Sequence, residues 1–283
     1  MTRVPPDVTL DGSLELDLDW TTRILSKFID TELHRTGLRD LVLGLSGGID
    51  SAVVAYIAVR AIKPARIHTY LLPFRTSSED SLRDARSVVE DLGIDTETID
   101  ISPLVDGFEE TVGEVDRLRL GNVMARARMT VLYDRSAAHQ ALVLGTSNKT
   151  ELLLGYGTLH GDMASALNPV GDLYKTQIRR LAEHLGVPAS IRTKPPSADL
   201  WPDQSDEDEL GFSYDEVDRL LALLIDARTS RATAIEAGFS PELIDGVTRR
   251  IARTQFKRML PIIAKISTRT VGWDFRYPRD WMT

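Results

Sequence analysis

A short glycine-rich segment, Ser46-Gly47-Gly48-Ile49-Asp50-Ser51, has the residue types of a phosphate-binding loop. Its glycine N–H groups and serine hydroxyls can donate hydrogen bonds to phosphate oxygens, and the Asp50 carboxylate can bind Mg²⁺. The segment lacks the Gly-Lys-Ser/Thr end of a Walker A loop and is not a Gly-x-Gly-x-x-Gly dinucleotide fingerprint. An ordinary glycine turn followed by helix-capping Asp and Ser side chains would use the same residues. Other segments must therefore distinguish the two interpretations.

The loop lies between a predicted strand and a predicted helix. Residues 41–45 are mostly apolar and have the length of a buried strand, and the Ala/Val/Ile pattern after Ser51 is typical of a helix packed on a sheet. The free amides and the dipole at the start of such a helix favour an anion. Further predicted strands at 66–74, 95–101 and 141–145 alternate with helical stretches. This alternation predicts parallel βαβ units with right-handed crossovers.

A parallel sheet of this kind places its ligands beyond the carboxyl ends of the strands. Ser46 and the segments 73–77 and 145–149 would all project from that edge. Lys175 lies in the first turn of a helix predicted over 172–185, where its charge opposes the helix dipole. A bound anion explains a lysine at that position better than helix stability does.

Three other polar stretches each have an ordinary interpretation. Arg126 and Arg128, on a helix predicted from Val123 to about His139, point in different directions and are typical of solvated surface arginines. Residues 194–211 contain three prolines and several acids, so they fit a disordered acidic linker or a lid that orders over a ligand. A helix predicted over 241–259 carries five basic residues, which normally form a solvated face.

Composition narrows the class of protein. The 283 residues suffice for one α/β domain with a helical appendage, and the net charge of −8 disfavours a nucleic-acid-binding protein. We expect a cytoplasmic protein, because the first residues do not resemble a signal peptide and no apolar run could span a bilayer. The chain has no cysteine, which excludes disulfides, thiolate metal sites, persulfide chemistry and a cysteine nucleophile.

Over roughly residues 40–258 the sequence resembles the NAD synthetases, a family of ATP pyrophosphatases. Besides the glycine-rich loop, four segments in the same order carry the resemblance: 121–129, 144–151, 172–176, and 194–200 with 204–207. The resemblance implies an α/β fold of the adenine nucleotide alpha hydrolase type. This is a doubly wound, mostly parallel five-stranded sheet with helices on both faces and a helical C-terminal part. We expect a single domain over 1–283, with an irregular arm at 1–19, a mobile lid loop at 194–211 and an aromatic tail at 268–283.

The family's reaction is the ATP-dependent amidation of deamido-NAD to NAD, the final step of NAD biosynthesis. ATP adenylates the nicotinate carboxylate, ammonia attacks the acyl-adenylate, and AMP and pyrophosphate are released. The resemblance therefore implies deamido-NAD, ATP as co-substrate and ammonia as partners, Mg²⁺ as cofactor, and neither nucleic acid nor membrane. It also implies a homodimer whose interface includes the helix carrying Arg126.

The nitrogen donor follows from the missing cysteine. Glutamine-dependent members of the family carry an additional amidase domain with a cysteine nucleophile, and this chain has no cysteine. We therefore expect an ammonia-dependent enzyme that uses free ammonia or ammonia delivered by a separate protein.

The resemblance assigns roles to individual positions. The expected ATP contacts are Gly44, Ser46, Gly47, Gly48, Asp50, Ser51, Thr146, Lys175 and Ser197. The expected deamido-NAD contacts are Arg126, Leu159, Ala166 and Lys257, and the expected metal ligands are Asp50 and Glu151. Asp50 and Lys175 would catalyse by alignment and by neutralising charge. Asp162 would orient or deprotonate ammonia, with a structural role in a turn as the alternative.

The departures from the family pattern fall on the dinucleotide side. Many ammonia-dependent members have Thr-Lys-Tyr/Phe-Gly-Asp followed by an acidic residue, whereas this chain has Leu159 at the lysine position and Ala166 at the acidic position. This stretch is closer to the synthetase domain of glutamine-dependent members. Phe256 also replaces the common histidine before Lys257.

Two other functions fit part of the sequence. One is another ATP pyrophosphatase, such as a tRNA-modifying or GMP-type amidotransferase, although the acidic charge and the absence of cysteine count against tRNA thiolation. The other is a nucleotide-binding subunit without catalysis. Asp50, Glu151 and Lys175 argue against it, because a pure binding protein has less need of two Mg²⁺ ligands.

Overall fold

The computed structural model describes residues 14–197, 199–201, 204–259 and 261–271. A four-stranded sheet organises the described chain, in the order β3-β2-β1-β4. The strands are β1 (Asp40–Gly44), β2 (Ile67–Leu71), β3 (Asp95–Thr98) and β4 (Ala141–Leu144). All three neighbouring pairs are parallel, with Leu41 opposite both Ile67 and Leu142. The predicted parallel arrangement is confirmed, and the strands are shorter than the apolar runs suggested.

Helices connect and cover the strands. Those up to the end of the sheet are α1 (Leu18–Thr36), α2 (Ile49–Ala61), α3 (Glu79–Leu92), α4 (Ser102–Val112) and α5 (Arg117–His139). Those after β4 are α6 (Lys149–Leu154), α7 (Lys175–Leu185), α8 (Ala189–Thr193), α9 (Asp206–Leu210), α10 (Tyr214–Leu221), α11 (Arg231–Glu236) and α12 (Pro241–Arg253). Short 3-10 turns lie at Pro64–Arg66 and Gln255–Arg258, and a π turn at Ala222–Asp226 continues α10.

The alternation of side chains along β1 produces two cores. Leu41 and Leu43 belong to the larger cluster, which includes α2 and buried residues of α1, α3 and α7. Val42 points to the opposite face and packs with Tyr70 and Met124 in the cluster of α4 and α5. Successive strand residues face opposite sides, so helices must cover both faces of a buried parallel sheet. The predicted doubly wound architecture is confirmed.

The expected fifth strand is reduced to a single bridge between Leu144 and Leu167. The backbone amides of Ala166 and Leu167 both donate to the carbonyl oxygen of Val143. Pro169 follows two residues later and has no N–H group, so the ladder cannot continue far in that direction. The prediction of five strands was therefore wrong by one for the described residues.

Two helices begin elsewhere than expected. α5 starts at Arg117, because the Asp116 side chain accepts a hydrogen bond from the backbone of Arg119, and Gly121 consequently lies inside the helix. The helix predicted from residue 172 begins at Lys175, where the Gln177 side chain accepts from the backbone of the preceding residue. Lys175 is thus the first helical residue, in the first turn as predicted.

The C-terminal helices form a third cluster with its own apolar centre. Tyr214, Leu220 and Val247 are buried there together with Leu154 and Tyr174, which belong to the part around the sheet. α12 ends at Arg253 and a 3-10 turn follows, so the single long helix predicted over 241–259 is not continuous. The predicted helical C-terminal part is present and packs directly on α6 and α7.

The predicted terminal segments lie partly outside the described residues. Residues 1–13 and the aromatic segment 272–283 are not among them, and neither are 198, 202 and 203 of the predicted lid. Leu14 is buried, and its carbonyl accepts a hydrogen bond from the Gln177 side chain. Within the described ranges, no helix is both long and apolar enough to span a lipid bilayer.

Candidate active site

A pocket of about 590 Å³ opens at the carboxyl edge of the sheet. It is lined by the glycine-rich loop after β1, the segment after β2, one face of α5, the segment after β4 and the start of α7. Residues of the 194–211 segment line the opposite side. The three projecting segments expected from the sequence all contribute, as parallel-sheet topology predicts.

The geometry of the loop after β1 requires glycine at position 47. Gly47 has φ +77°, and a Cβ atom there would lie 2.1 Å from the carbonyl oxygen of Ser81. The hydroxyls of Ser46 and Ser51 lie 3.1 Å apart, and the Ser51 hydroxyl donates to the carbonyl of Gly48 at 3.0 Å. The α2 terminus has no side-chain cap, and residues 48–51 line the pocket. Uncapped amides at a helix N-terminus are suited to phosphate.

A buried lysine links the loop to α7. Lys175 Nζ lies 2.5 Å from Asp50 Oδ2 and 3.7 Å from Glu151 Oε1, and the Lys175 side chain is only 4% exposed. Asn148 Nδ2 donates to the other Asp50 oxygen at 2.9 Å. The structure therefore brings together the three charged residues that the sequence placed in catalytic and metal roles.

A reciprocal helix cap fixes Glu151. The Asn148 side chain accepts from the backbone N–H of Glu151 at 3.0 Å, and Glu151 Oε2 accepts from the backbone N–H of Asn148 at 3.1 Å. This capping box leaves Oε1 facing Lys175. The strand-to-helix turn after β4 thus determines which oxygen Glu151 presents to the pocket.

Carboxylates outnumber cations at this centre. Asp206 of α9 is buried and accepts hydrogen bonds from the Tyr156 hydroxyl at 2.9 Å and the Tyr214 hydroxyl at 3.2 Å. Burial and the adjacent Asp50 carboxylate raise the pKa of Glu151 to about 8, and burial also raises the pKa of Asp206. Burial alone would lower the pKa of Lys175, but Asp50 and Glu151 outweigh it and raise that pKa. The centre therefore favours an additional proton or cation.

Asp206 was not among the predicted site residues. It lies in the stretch 204–207, which contributed to the family resemblance without being assigned a role. Its position became evident only when the fold placed α9 beside Lys175. Acidic residues in a polar loop give no local signal that one of them will be buried.

The expected ATP contacts lie together. Gly44, Thr146 and Ser197 line the pocket together with the loop serines, Gly48, Asp50 and Lys175. Gly47 shapes the loop behind this surface. Lys194 adds an unpredicted cation to the lining, and its Nζ donates to the Ser81 hydroxyl at 2.8 Å.

The expected deamido-NAD contacts are more dispersed. Lys257 lines the pocket, and its ammonium donates to the carbonyls of Gly155 at 2.8 Å and Gly157 at 2.7 Å. Arg126 is on an exposed face of α5 and donates to the carbonyl of Leu159 at 3.3 Å. Ala166 is exposed beside the bridge to β4. Within one chain, the pocket lining includes Lys257 but not the other three residues.

Arg128 corrects the expectation of a solvated surface arginine. Its Nε donates to the carbonyl of Leu72 at 2.9 Å, and the side chain lines the pocket. Burial lowers its pKa, while the charges of Asp199 and Asp162 act in the opposite direction. α5 therefore presents Arg128 to the pocket, and Arg126 lies outside the pocket lining.

Asp162 closes a turn and also lies in the pocket lining. Its Oδ1 accepts from the backbone N–H of Thr158 at 2.7 Å, which closes the turn of the irregular loop. Asp162 also lines the pocket, and the surrounding protein raises the pKa of its carboxyl through desolvation. A carboxylate with a raised pKa accepts a proton more readily than an ordinary aspartate does.

The basic residues near the C-terminus are not all solvated, contrary to expectation. Arg250 donates to the carbonyl of Leu154 at 3.1 Å, and Arg258 donates to those of Leu152 and Leu153 at 3.0 and 2.8 Å. These carbonyls belong to the last turn of α6, where helical acceptors lack partners within the helix. Only Arg249 and Arg253 of the five are exposed.

Known proteins resemble this chain in sequence and in fold. The sequence pattern of the family described as NAD synthase matches residues 21–261. An NH(3)-dependent NAD(+) synthetase of Chlorobium phaeobacteroides is 58% identical over 272 residues, covering 95% of this chain and 98% of that protein.

Two solved structures are similar over the whole of their own chains. The NH3-dependent NAD synthetase of Campylobacter jejuni, in complex with the nitrate ion, has a TM-score of 0.75 at 35% identity and covers 88% of this chain. The NMN synthetase of Francisella tularensis has a TM-score of 0.80 at 31% identity and covers 89% of this chain. The resemblance drawn from the motifs is confirmed, and the chain belongs to the NAD synthase family.

Proposed function

We propose that this chain is a carbon–nitrogen ligase that amidates deamido-NAD to NAD with ATP and ammonia, and releases AMP and pyrophosphate. The observation that carries the proposal is the contact between Lys175 and Asp50 beside an uncapped helix N-terminus in the large pocket. Such an arrangement suits a reaction whose leaving group is pyrophosphate. The similarity to NH(3)-dependent NAD(+) synthetases over nearly the whole chain supports the substrates.

The proposed reaction has two steps, and different residues of the pocket act in each. In the first step, a carboxylate oxygen of nicotinate attacks the α-phosphorus of ATP and pyrophosphate leaves. The Gly48 amide and the Ser46 and Ser51 hydroxyls hold the phosphates, and Lys175 offsets the charge on the departing pyrophosphate. Alignment is the main requirement, because the acyl-adenylate that forms is already a good electrophile.

In the second step, ammonia attacks the acyl carbon and AMP leaves. The attacking nitrogen must lose a proton to become an amide. Asp162 is proposed to orient the ammonia or to accept that proton, which its raised pKa favours. Its hydrogen bond from the Thr158 amide keeps the carboxylate at the pocket wall.

Mg²⁺ is the proposed cofactor, with Asp50 and Glu151 as its protein ligands. In the described part of the chain, no group of three or more His, Asp or Glu side chains has a metal-binding arrangement. Two carboxylates are nevertheless sufficient for Mg²⁺ when phosphate oxygens and water complete its coordination. The residues fit, because Asp50 and Glu151 both face one cationic atom and the pKa of Glu151 is raised to about 8. Bound Mg²⁺ would neutralise phosphate charge.

A homodimer is proposed from the position of the dinucleotide contacts. Arg126 and Leu159 lie outside the pocket lining of one chain, on the side where α5 is exposed. The neighbouring α4 exposes Leu104, Phe108 and Val112 at helical spacing. A second subunit packed on α4 and α5 would cover these apolar side chains and complete the dinucleotide site.

The proposed compartment is the cytoplasm.

The first experiment is NAD formation by the purified chain with ATP, Mg²⁺ and deamido-NAD, comparing ammonium with glutamine. We expect turnover with ammonium and none with glutamine, because the chain has no cysteine. Absence of pyrophosphate release and of NAD with both nitrogen sources would overturn the proposal. ATP binding without turnover would instead favour the non-catalytic subunit.

Nicotinate mononucleotide is a second candidate substrate. The structure of an NMN synthetase is among those similar to this chain, and Leu159 and Ala166 depart from the family pattern on the dinucleotide side. The same assay with the mononucleotide in place of deamido-NAD separates the two. A higher kcat/KM for the mononucleotide would change the assigned substrate but leave the ligase reaction unchanged.

A further inference from the structure

Asp218 of α10 is a fully buried carboxylate, 0% exposed, that touches two other helices. Its Oδ1 accepts from the Thr150 hydroxyl at 2.6 Å, and its Oδ2 accepts from the backbone N–H of Thr176 at 2.8 Å. Among the described residues, it forms no ion pair. Its two oxygens are therefore used to join α6 to α7.

A third hydrogen bond closes the arrangement. The backbone N–H of Lys175 donates to the Thr150 hydroxyl oxygen at 3.0 Å, so that one hydroxyl both donates to Asp218 and accepts from α7. Thr150 immediately precedes Glu151, and Thr176 immediately follows Lys175. Each residue that Asp218 holds is thus the neighbour of a charged residue of the active centre.

A second carboxylate, on a more exposed side chain, also forms hydrogen bonds with residues at the start of α6 and just before α7. Asp226 accepts from Lys149 Nζ at 2.8 Å and from the Tyr174 hydroxyl at 2.9 Å. Its side chain is 42% exposed, so water can replace these bonds when they break. Water has no comparable access to Asp218, and a lost partner there leaves a buried polar group unsatisfied.

We propose that Asp218 is a positioning residue for the amidation reaction, holding α6 and α7 in the register that places Glu151 and Lys175 against Asp50. It acts through Thr150 and Thr176 and does not itself line the pocket. The proposal rests on the proposed function. Small displacements of aligned groups are costly, since about 1 Å of misplacement can lower a rate by about 100-fold.

Asp218→Asn is the most conservative test, because the amide keeps the shape of the carboxylate. In either orientation of the amide, its NH₂ group replaces one of the carboxylate oxygens. The NH₂ group then faces either the Thr176 N–H or the Thr150 hydroxyl, and the hydrogen bond accepted there is lost. We expect kcat for NAD formation to fall about 10- to 100-fold. The KM for deamido-NAD and for ammonia should change little, because Asp218 does not line the pocket.

The Thr150 variants show whether the effect passes through the hydroxyl. Thr150→Val removes the hydroxyl at nearly constant volume and should lower kcat by as much as Asp218→Asn. Thr150→Ser keeps the hydroxyl and should retain most of the wild-type kcat. The double variant Thr150→Val/Asp218→Asn should be no slower than the worse single variant, since both remove one shared bond.

A matched control separates positioning from simple loss of stability. Ile244→Val weakens the same C-terminal apolar cluster without touching the Asp218 bonds, and it should lower Tm while kcat stays at the wild-type value. The proposal is overturned if Asp218→Asn keeps the wild-type kcat, or if Ile244→Val loses kcat in proportion to Tm as Asp218→Asn does.

Calorimetric ATP affinity is measured in parallel. If the wild-type chain binds ATP but forms no NAD, the proposed function is contradicted. In that case the ATP affinity tests the positioning role, and a wild-type affinity in Asp218→Asn would contradict it.

Discussion

Lys175 Nζ and Asp50 Oδ2 lie 2.5 Å apart although 125 residues separate them in the chain. The contact joins the N-terminus of α7 to that of α2. A buried ion pair of this kind adds little net stability, because desolvation of both charges offsets their attraction. We therefore attribute the pair to the proposed reaction, in which both groups would meet the phosphates of ATP.

Asp50→Asn and Lys175→Ala should each abolish pyrophosphate release in the presence of ATP, deamido-NAD and ammonium. Lys175→Ala should also lower the free energy of unfolding by about 3 kcal/mol, because it leaves two half-buried carboxylates without a cation. A coupled pyrophosphate assay and urea unfolding measure the two effects. Lys27→Ala is the matched control, since Lys27 forms an exposed pair with Asp30 at 2.7 Å. Wild-type rates for either site variant would contradict the site assignment.

Gly47→Ala and Gly48→Ala should differ sharply in stability although the residues are adjacent. At position 47 the new methyl group would meet the Ser81 carbonyl at 2.1 Å on a backbone with φ +77°. At position 48, φ is −88° and the nearest atom is the Ser46 hydroxyl oxygen at 3.2 Å. We expect a loss of about 3 kcal/mol for the first variant and about 1 kcal/mol or less for the second. Equal unfolding midpoints in urea would be incompatible with this loop geometry.

Arg258→Ala should destabilise the chain by about 2 kcal/mol, because several carbonyl oxygens lose charged donors at once. Arg253→Ala provides the comparison, since Arg253 is an exposed arginine at the end of α12, just before the turn that carries Arg258. Its substitution should change the free energy of unfolding by about 0.5 kcal/mol at most. Thermal or urea denaturation of the two variants tests the difference. Comparable losses in both would mean that the carbonyl contacts contribute nothing specific.

Acidification should weaken the amino-terminal edge of the sheet through a histidine pair. His68 and His139 stack with ring centroids 3.8 Å apart, and His139 Nε2 lies 2.9 Å from the Tyr70 hydroxyl. Partial desolvation and the neighbouring His68 lower the pKa of His139 below its usual value of about 6.5. The unfolded chain then binds more protons as the pH falls through that value, so this contribution to stability is complete above it and lost below it.

The effect should be modest, because His139 is exposed. His139→Gln removes the titrating group, and its Tm should decline less than that of the wild-type chain from about pH 7.5 to about pH 5.5. Melting curves at several pH values give the comparison. Parallel declines in the two proteins would exclude the pair as a source of acid sensitivity.

The sheet and its ligand edge were predictable because the relevant signals are local. All four observed strands overlap predicted ones, and the start of β1 was correct to within a residue. The reduction of the expected fifth strand to one bridge could not be predicted in this way. A single bridge at Leu167 before Pro169 is decided by the backbone path after β4, which no apolar pattern encodes.

The residues of the candidate site also differ in whether the local sequence could predict them. Asp50 and Lys175 could be inferred because a loop and a helix start each show their chemistry within a few residues. Arg128, Asp206 and Asp218 could not, since burial of a charged side chain depends on partners far away in sequence. Arg258 likewise finds its acceptors about a hundred residues earlier in the chain.

The contacts of Arg250 and Arg258 with carbonyls of α6, together with Asp218, tie the C-terminal helices to α6 and α7 at buried or half-buried positions. These bonds connect the C-terminal helices to the two helices that follow the sheet, so we expect the two parts of the molecule to unfold together. Such coupling makes melting an all-or-none event. Scanning calorimetry should give one endotherm whose van't Hoff and calorimetric enthalpies agree, so a substitution in α12 should shift the melting of the sheet as much as its own.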